Sequence, residues 1–299
     1  MKKKYIIFVF ILLFFCGFSE ASYDVLAIQS FDGVEPYEHA LEGFKNTCNC
    51  NVRKIVASEL NESAILRRIN RSKPDAILAI GMDALSKVKK IKDIPIIYIM
   101  IVNPNSILSG EENVTGINMN IPPGKQLEIF KKALPDIKKI GVIFDPNKLG
   151  FFVKKAQNEA SKMDFKLIVR EVNSSKKVPS SLISMKEEID AIWMLPDITV
   201  FSPETIEFLF IFAFENKIPV FTFSKRFFKM GALMSLSTDP FDSGKQGGEL
   251  ANEVVSRKKI RNLSGVEARK IIISINSKMP KKLGIVISDE ILNKAEIIH

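Results

Sequence analysis

The chain has 299 residues, 46% hydrophobic and 26% charged, with a formal net charge of +9. Its lysines and arginines are scattered among Asp and Glu, which describes a solvated surface and excludes a basic stripe of the kind that tracks nucleic acid. Two histidines and three cysteines in the whole chain leave little from which to build a histidine-assisted nucleophile or a structural metal site.

Lys2, Lys3 and Lys4 precede an apolar run from Tyr5 to Phe18, and Ser19-Glu20-Ala21 supplies the small residues of a signal-peptidase site. This pattern predicts export, with residues 1–21 removed, and a periplasmic location. The run is shorter than the roughly 20 residues a membrane-spanning helix needs. A rival reading places a lipoprotein cleavage site before Cys16, although Phe15 stands where that site wants a small residue. After cleavage the charge stays basic at about +7. The remaining Cys48 and Cys50 are one residue apart, a spacing read as too close for an easy disulfide and as two inert thiols at a helix end.

Beyond the leader, β-branched apolar runs alternate with amphipathic stretches, the pattern of a mainly parallel sheet covered by helices. Strands are predicted at 24–29, 52–56, 75–80, 95–101, 140–144, 166–170, 190–195, 218–223 and 232–236. Helices are predicted at 35–46, 61–71, 83–90, 123–133, 150–162, 179–187, 203–216 and 241–257. The organisation repeats: Asp75-Ala76-Ile77 is echoed by Asp190-Ala191-Ile192, and each is followed by a helix and an Ile-Pro strand, at Ile94-Pro95 and Ile218-Pro219. A period this long suits two similar α/β lobes rather than a solenoid.

In open parallel sheets ligands bind beyond the carboxyl ends of the strands. The residues there are polar and varied: Ser30, Phe31, Met82, Asp83 and Asn103 in the first half; Asp145, Asn147, Asp197, Thr199, Ser224 and Asp239 in the second. Hydroxyls, amides, carboxylates and helix starts together can hold a zwitterion, with backbone N–H groups for its carboxylate and an aspartate for its ammonium. Taken singly, each is a common helix cap. No catalytic constellation stands out. His39 has no partner in sequence, Gly244-Lys245-Gln246-Gly247-Gly248 lacks the phosphate-loop pattern, and Glu111-Glu112 and Glu187-Glu188 read as surface charge.

Several words, in order, carry a resemblance. Pro36-Tyr37-x-x-Ala40-x-x-Gly43-Phe44 opens the chain; Gln126-Leu127 and Leu134-Pro135-x-x-Lys138-Lys139-Ile140-Gly141-Val142 occupy its middle. Lys217-Ile218-Pro219-Val220-Phe221, Gly231-Ala232-Leu233 and Gly244-Lys245-Gln246 follow, and Ile275-Asn276-x-Lys278, Leu283-Gly284-Ile285 and Ala295-Glu296-Ile297-Ile298 close it. On these the chain resembles the ABC transporter substrate-binding family that includes tryptophan- and tyrosine-binding members.

The resemblance implies an α/β, type I periplasmic-binding fold: two doubly wound parallel-sheet lobes joined by a three-segment hinge. Lobe one would comprise residues 22–117 plus 239–269, and lobe two 118–238 plus 270–299. It further implies a monomer without cofactor or metal that closes on a small polar ligand, an amino acid or related zwitterion. Delivery would be to an ABC permease with its ATPase, and membrane contact would come only through that permease. A sensory subunit docking on a membrane receptor is the alternative, and an α/β racemase or hydrolase a more distant one. Asn103-Pro104 falls where the family often shows Asp-Pro, and Asp197 with Thr199 where it shows Asp-x-Thr. Met82-Asp83 and Lys225 depart from the family's usual residues and weigh against an aromatic amino acid as ligand.

Overall fold

The computed structural model describes residues 22–257 and 265–299. In chain order the strands are β1 (Tyr23–Gln29), β2 (Cys50–Val56), β3 (Ala76–Ile80), β4 (Ile96–Ile101), β5 (Val114–Asn118), β6 (Lys139–Phe144), β7 (Lys166–Glu171), β8 (Ala191–Trp193), β9 (Val220–Thr222), β10 (Met234–Thr238), β11 (Val266–Glu267), β12 (Ile271–Asn276) and β13 (Glu296–Ile298). The helices are α1 (Glu35–Lys45), α2 (Glu62–Ser72), α3 (Met82–Val88), α4 (Pro123–Ala133), α5 (Pro146–Ser161), α6 (Val178–Ser184), α7 (Pro203–Glu215), α8 (Pro240–Arg257), α9 (Met279–Leu283) and α10 (Asp289–Leu292). The strands form a six-stranded sheet, ordered β11-β5-β4-β3-β1-β2, and a seven-stranded sheet, ordered β13-β12-β10-β9-β8-β6-β7. These are the two doubly wound lobes of a type I periplasmic-binding fold.

Alternation along β1 shows how lobe one fills. Val25 and Ala27 point into the core shared with Ala40, Phe44, Leu250 and Val254 of α1 and α8. Leu26 and Ile28 point to the opposite face, against Ile65, Ile69, Leu85 and Val88 of α2 and α3. Period-two geometry forces this division, and each fully buried aliphatic contributes about 1.5–3 kcal/mol. Both β3 and β4 are buried throughout, which accounts for their unbroken apolar runs. Helices α1 and α8 pack backbone to backbone. A Cβ at Gly43 would run into the Phe241 carbonyl, and one at Gly244 into the Ala40 carbonyl.

Lobe two repeats the plan up to β10 and then departs from it. β12 runs antiparallel to β10, pairing Met234 with Ile275 and Thr238 with Ile271, and β13 lies parallel to β12. The core of one face is aromatic: Phe130 stacks on Phe221 at 4.1 Å between centroids and meets Trp193 edge-on at 5.6 Å.

The chain passes between lobes three times: between β5 and α4, between β10 and α8, and between β11 and β12. The crossings are laced together. The Ala268 amide donates to the Asn118 carbonyl (3.1 Å), Met119 to Ile101 (3.2 Å) and Asp239 to Lys270 (3.1 Å).

Two differences from the sequence reading have physical causes. Helix α5 starts at Pro146 rather than near residue 150, because Asp145 caps it and proline is well suited to the first turn. Cys48 and Cys50 are joined in a disulfide, correcting the reading of two inert thiols. The tight corner between α1 and β2 brings their Cα atoms to 5.3 Å, inside the range a disulfide accepts. The expected leader and Cys16 lie outside the described residues.

Candidate functional site

At the carboxyl edge of lobe one, Ser30 follows β1 and is buried. Its Oγ accepts from the Ala84 amide at 3.0 Å, satisfying one of the first-turn N–H groups that α3 cannot pair internally. Between them sits Gly81 at φ +88°, where a Cβ would lie within 2.6 Å of both Ser30 Oγ and Tyr37 Oη. Two hydroxyls from β1 and α1 therefore converge on the start of α3. Burial raises the Tyr37 phenol above its ordinary value, so it is neutral and able to donate.

The loop carrying Phe31 is fixed from below. Buried Gln29 donates from Nε2 to the Phe31 carbonyl and to Glu38 Oε1, both at 2.8 Å, while its Oε1 has no partner. Lys54 Nζ bridges Glu38 at 2.8 Å and Asp32 at 2.9 Å. The Lys54 hydrogen bond, joined by that of Gln29, holds the Glu38 carboxyl below its usual range. Lys54 likewise lowers Asp32. With its backbone pinned, Phe31 presents a 52% exposed ring. Met82 packs partly against the α2–α3 core, and Asp83 is paired with Lys87 at 3.0 Å. Asn103 is exposed, and its carbonyl accepts from the Ser106 amide and hydroxyl.

Lobe two presents a different edge. Asp145 and Asp197, 6% and 3% exposed, come together: Asp197 Oδ2 accepts from the Asp145 amide at 2.7 Å. The other Asp197 oxygen accepts from the Thr199 amide at 2.9 Å, and Asp145 Oδ1 accepts from Asn147 at 2.9 Å. Asn147 itself is exposed and Thr199 half-buried. Ser224 caps the turn after β9, accepting from Arg226, and Lys225 beside it is tied to Glu296 at 3.0 Å. Around these polar groups stand bare apolar side chains, Phe151 at 86% and Ile198 at 88% exposed.

Asp239 belongs to the crossings. Burial pulls its carboxyl upward, but Lys270 at 2.7 Å and the backbone amides of Asp242 and Phe241 outweigh this and leave it below the usual range. Next door, Arg269 is gripped by Asp242 (3.0 Å) and Glu249 (2.9 Å), both on α8. Gln246 accepts from the Arg269 amide and donates to the Glu267 carbonyl.

The structure thus groups Ser30, Phe31, Met82, Asp83 and Asn103 at one edge, and Asp145, Asn147, Asp197, Thr199 and Ser224 at the other, with Asp239 between the lobes. Sequence reasoning passed over Gln29, Tyr37, Glu38 and Lys54. Only Tyr37 had a signal, in the Pro36-Tyr37 pair immediately after the β1 loop. Among the described residues no group of His, Cys, Asp and Glu could hold a metal ion. No helix there is long and apolar enough to cross a membrane. His39 lies exposed on α1.

Two hinged α/β lobes with polar strand ends define a periplasmic-binding-type protein. The model of the ABC transporter substrate binding protein family matches residues 40–298, and the chain belongs to that family, whose members bind substrates rather than transform them. It is 28% identical over 229 residues to a tyrosine-binding protein of Clostridioides difficile (strain R20291), covering 74% of this chain and 66% of that relative, just under two thirds of its length. Among solved structures, the ligand-free, open form of a substrate binding protein with adhesive properties from Clostridium difficile superposes with a TM-score of 0.74 at 22% identity, covering 92% of this chain and 99% of that one. A Streptococcus pneumonia ABC domain in complex with L-Trp gives 0.62 at 20% identity, covering 93% and 100%.

Proposed function

We propose that the protein is exported to the periplasm, captures an amino acid or related zwitterion between its two strand-end edges, and delivers it to an ABC importer. The observation that carries this reading is the character of the edges. The hydroxyls of Ser30 and Tyr37 converge at the start of α3, and Phe31, Phe151 and Ile198 stand bare. Such a surface suits a ligand with a polar head and an apolar body. Ser30, Phe31, Met82, Asp83 and Asn103 would meet it from lobe one, and Asn147, Thr199 and Ser224 from lobe two, on loops held by the carboxylates of Asp145 and Asp197.

The mechanism is a population shift. A ligand touching both edges binds the closed form better than the open one, and that difference in affinity draws closure. The family-pattern departures at Asp83 and Lys225 weigh less than the sequence suggested, because their charges are engaged by Lys87 and Glu296. Aromatic amino acids therefore stay in the candidate set, in line with the tyrosine-binding relative.

The test is a thermal-shift screen of the chain from Ser22 onward against the common amino acids and small organic acids. A ligand at 100 times its dissociation constant stabilises by about 2.7 kcal/mol, a shift of a few degrees. An unchanged melting temperature across all amino acids would sink the reading.

A further inference from the structure

One helix of lobe one carries a cluster of cations without partners among the described residues. Helix α1 carries Glu35, Glu38 and Glu42, and α8, packed beside it on the same face, adds Asp242, Glu249 and Glu253. On the opposite face α2 carries Arg67, Arg68 and Arg71, followed by Lys73 at its C-cap. All four basic residues are exposed. None of their side chains has an ion pair or hydrogen-bond partner among the described residues. Lys90 and Lys92, after α3, approach the same edge, since β3 and β4 are neighbours in parallel register. Leu66, 38% exposed, lies among the arginines.

The position of this cluster matters as much as its sign. Helices in a parallel sheet run back against their strands, so the ends of α2 and α3 lie at the amino edge, opposite the carboxyl edge that holds the candidate site. The chain enters the fold at that same edge. The Asp24 amide donates to Asp75 Oδ2 and the Asp75 amide to the Asp24 carbonyl, each at 2.8 Å, and Arg53 reaches the Ser72 carbonyl at 3.4 Å. Ser22, the first described residue, therefore lies beside the basic pole.

We propose that this pole docks on an anionic phospholipid surface. Cations close to an anionic leaflet each strengthen binding about fivefold, and Arg67, Arg68, Arg71 and Lys73 stand exposed together at this one pole. The contact would add a direct membrane interaction to the permease-only contact that the sequence suggested. It does not depend on the identity of the transported ligand.

The test is co-sedimentation of the chain from Ser22 onward, which holds both sheets, with phosphatidylglycerol–phosphatidylcholine vesicles at low salt, against phosphatidylcholine alone. Binding is expected only to the anionic vesicles and should be released by salt. Arg67→Gln, Arg68→Gln and Arg71→Gln combined should weaken it by on the order of 100-fold. Lys148→Gln, Lys154→Gln and Lys155→Gln remove the same charge from lobe two and should leave binding near wild type. Thermal melts confirm that both triple variants fold. No preference for anionic vesicles, or equal loss in the two triple variants, would overturn the proposal, the second by showing that net charge alone is responsible.

Discussion

The two strand-end edges solve the same problem with opposite economies of hydrogen bonding. At lobe one the backbone is held by groups lying beneath the edge, Gln29, Glu38 and Lys54, so the hydroxyls of Ser30 and Tyr37 keep capacity for a visitor. At lobe two the acidic side chains are themselves the scaffold: both oxygens of Asp197 are taken by the amides of Asp145 and Thr199. A polar residue after a strand can therefore be either the hand or the wrist. What separates the two is where its partners lie, which sequence position does not reveal. In the proposed mechanism lobe one supplies much of the polar recognition, and lobe two supplies a rigid loop and apolar cover.

The largest expected effect tests the scaffold side. Asp197→Ala leaves two amides without acceptors, one of them on buried Asp145, at about 1–3 kcal/mol for each buried group left unpaired. Urea unfolding should show a loss of about 2–4 kcal/mol. Asp197→Asn keeps one acceptor and should lose about half as much. A stable Asp197→Asn with affinity reduced 10-fold or more would instead make Asp197 a ligand group and collapse the contrast between the edges.

On the lobe-one side, Gly81→Ala combines a left-handed backbone with a collision against Ser30 and Tyr37. It should cost about 1–3 kcal/mol and weaken ligand binding beyond what the stability loss explains. Calorimetric titration beside the melt separates these effects, and full affinity in the folded variant would remove this corner from the site.

Ile198→Ser probes the apolar cover. The side chain is exposed in the free protein, so stability should stay within about 0.5 kcal/mol. Affinity should fall roughly 5- to 30-fold if closure buries it, at about 1–2 kcal/mol for a largely covered aliphatic. Wild-type affinity would confine recognition to the polar groups.

The smallest effect belongs to the crossings. The Asp239 carboxyl is depressed, so its contribution is fully present above the ordinary value of 3.8 and is lost as pH falls through the lower, folded-state value. Lys270 is 63% exposed, so the pair is worth well under about 1 kcal/mol. Asp239→Asn should slightly flatten the acid limb of the stability curve below about pH 4. A change in the neutral range instead would implicate another group.

Much of the fold was legible because β1, β3, β4, β6 and β8 are apolar runs buried on both faces, and their period and length announce them. The strands missed from the sequence were β5 and those of the last stretch. β5 is interrupted by Gly116, a position tight against Tyr98. β12 and β13 exist because β10 offers an antiparallel edge, and that pairing is set by tertiary structure. Of the candidate site, only residues that directly follow a strand were legible. Position after a strand picked out Ser30, Asp145 and Asp197, but whether a carboxylate faces solvent or an amide two loops away depends on contacts remote in sequence. Tyr37 was hidden inside a helix, where spacing marks it only as partly apolar. The Cys48–Cys50 bond was missed because spacing was judged without the corner that closes it.

The grip of Asp242 and Glu249 on Arg269 has a mechanical consequence. It ties the returning segment to α8 as far as Arg269, two residues before β12, so bending at that crossing falls on the few peptide units around Lys270 and Asp239. A fulcrum that short converts small torsional changes into a wide swing of the distant rims, in the way a door turns on a narrow pin. Loosening it with Arg269→Ala would spread the bend over a longer stretch and make the swing less directed, while every residue that touches the ligand stayed as it was.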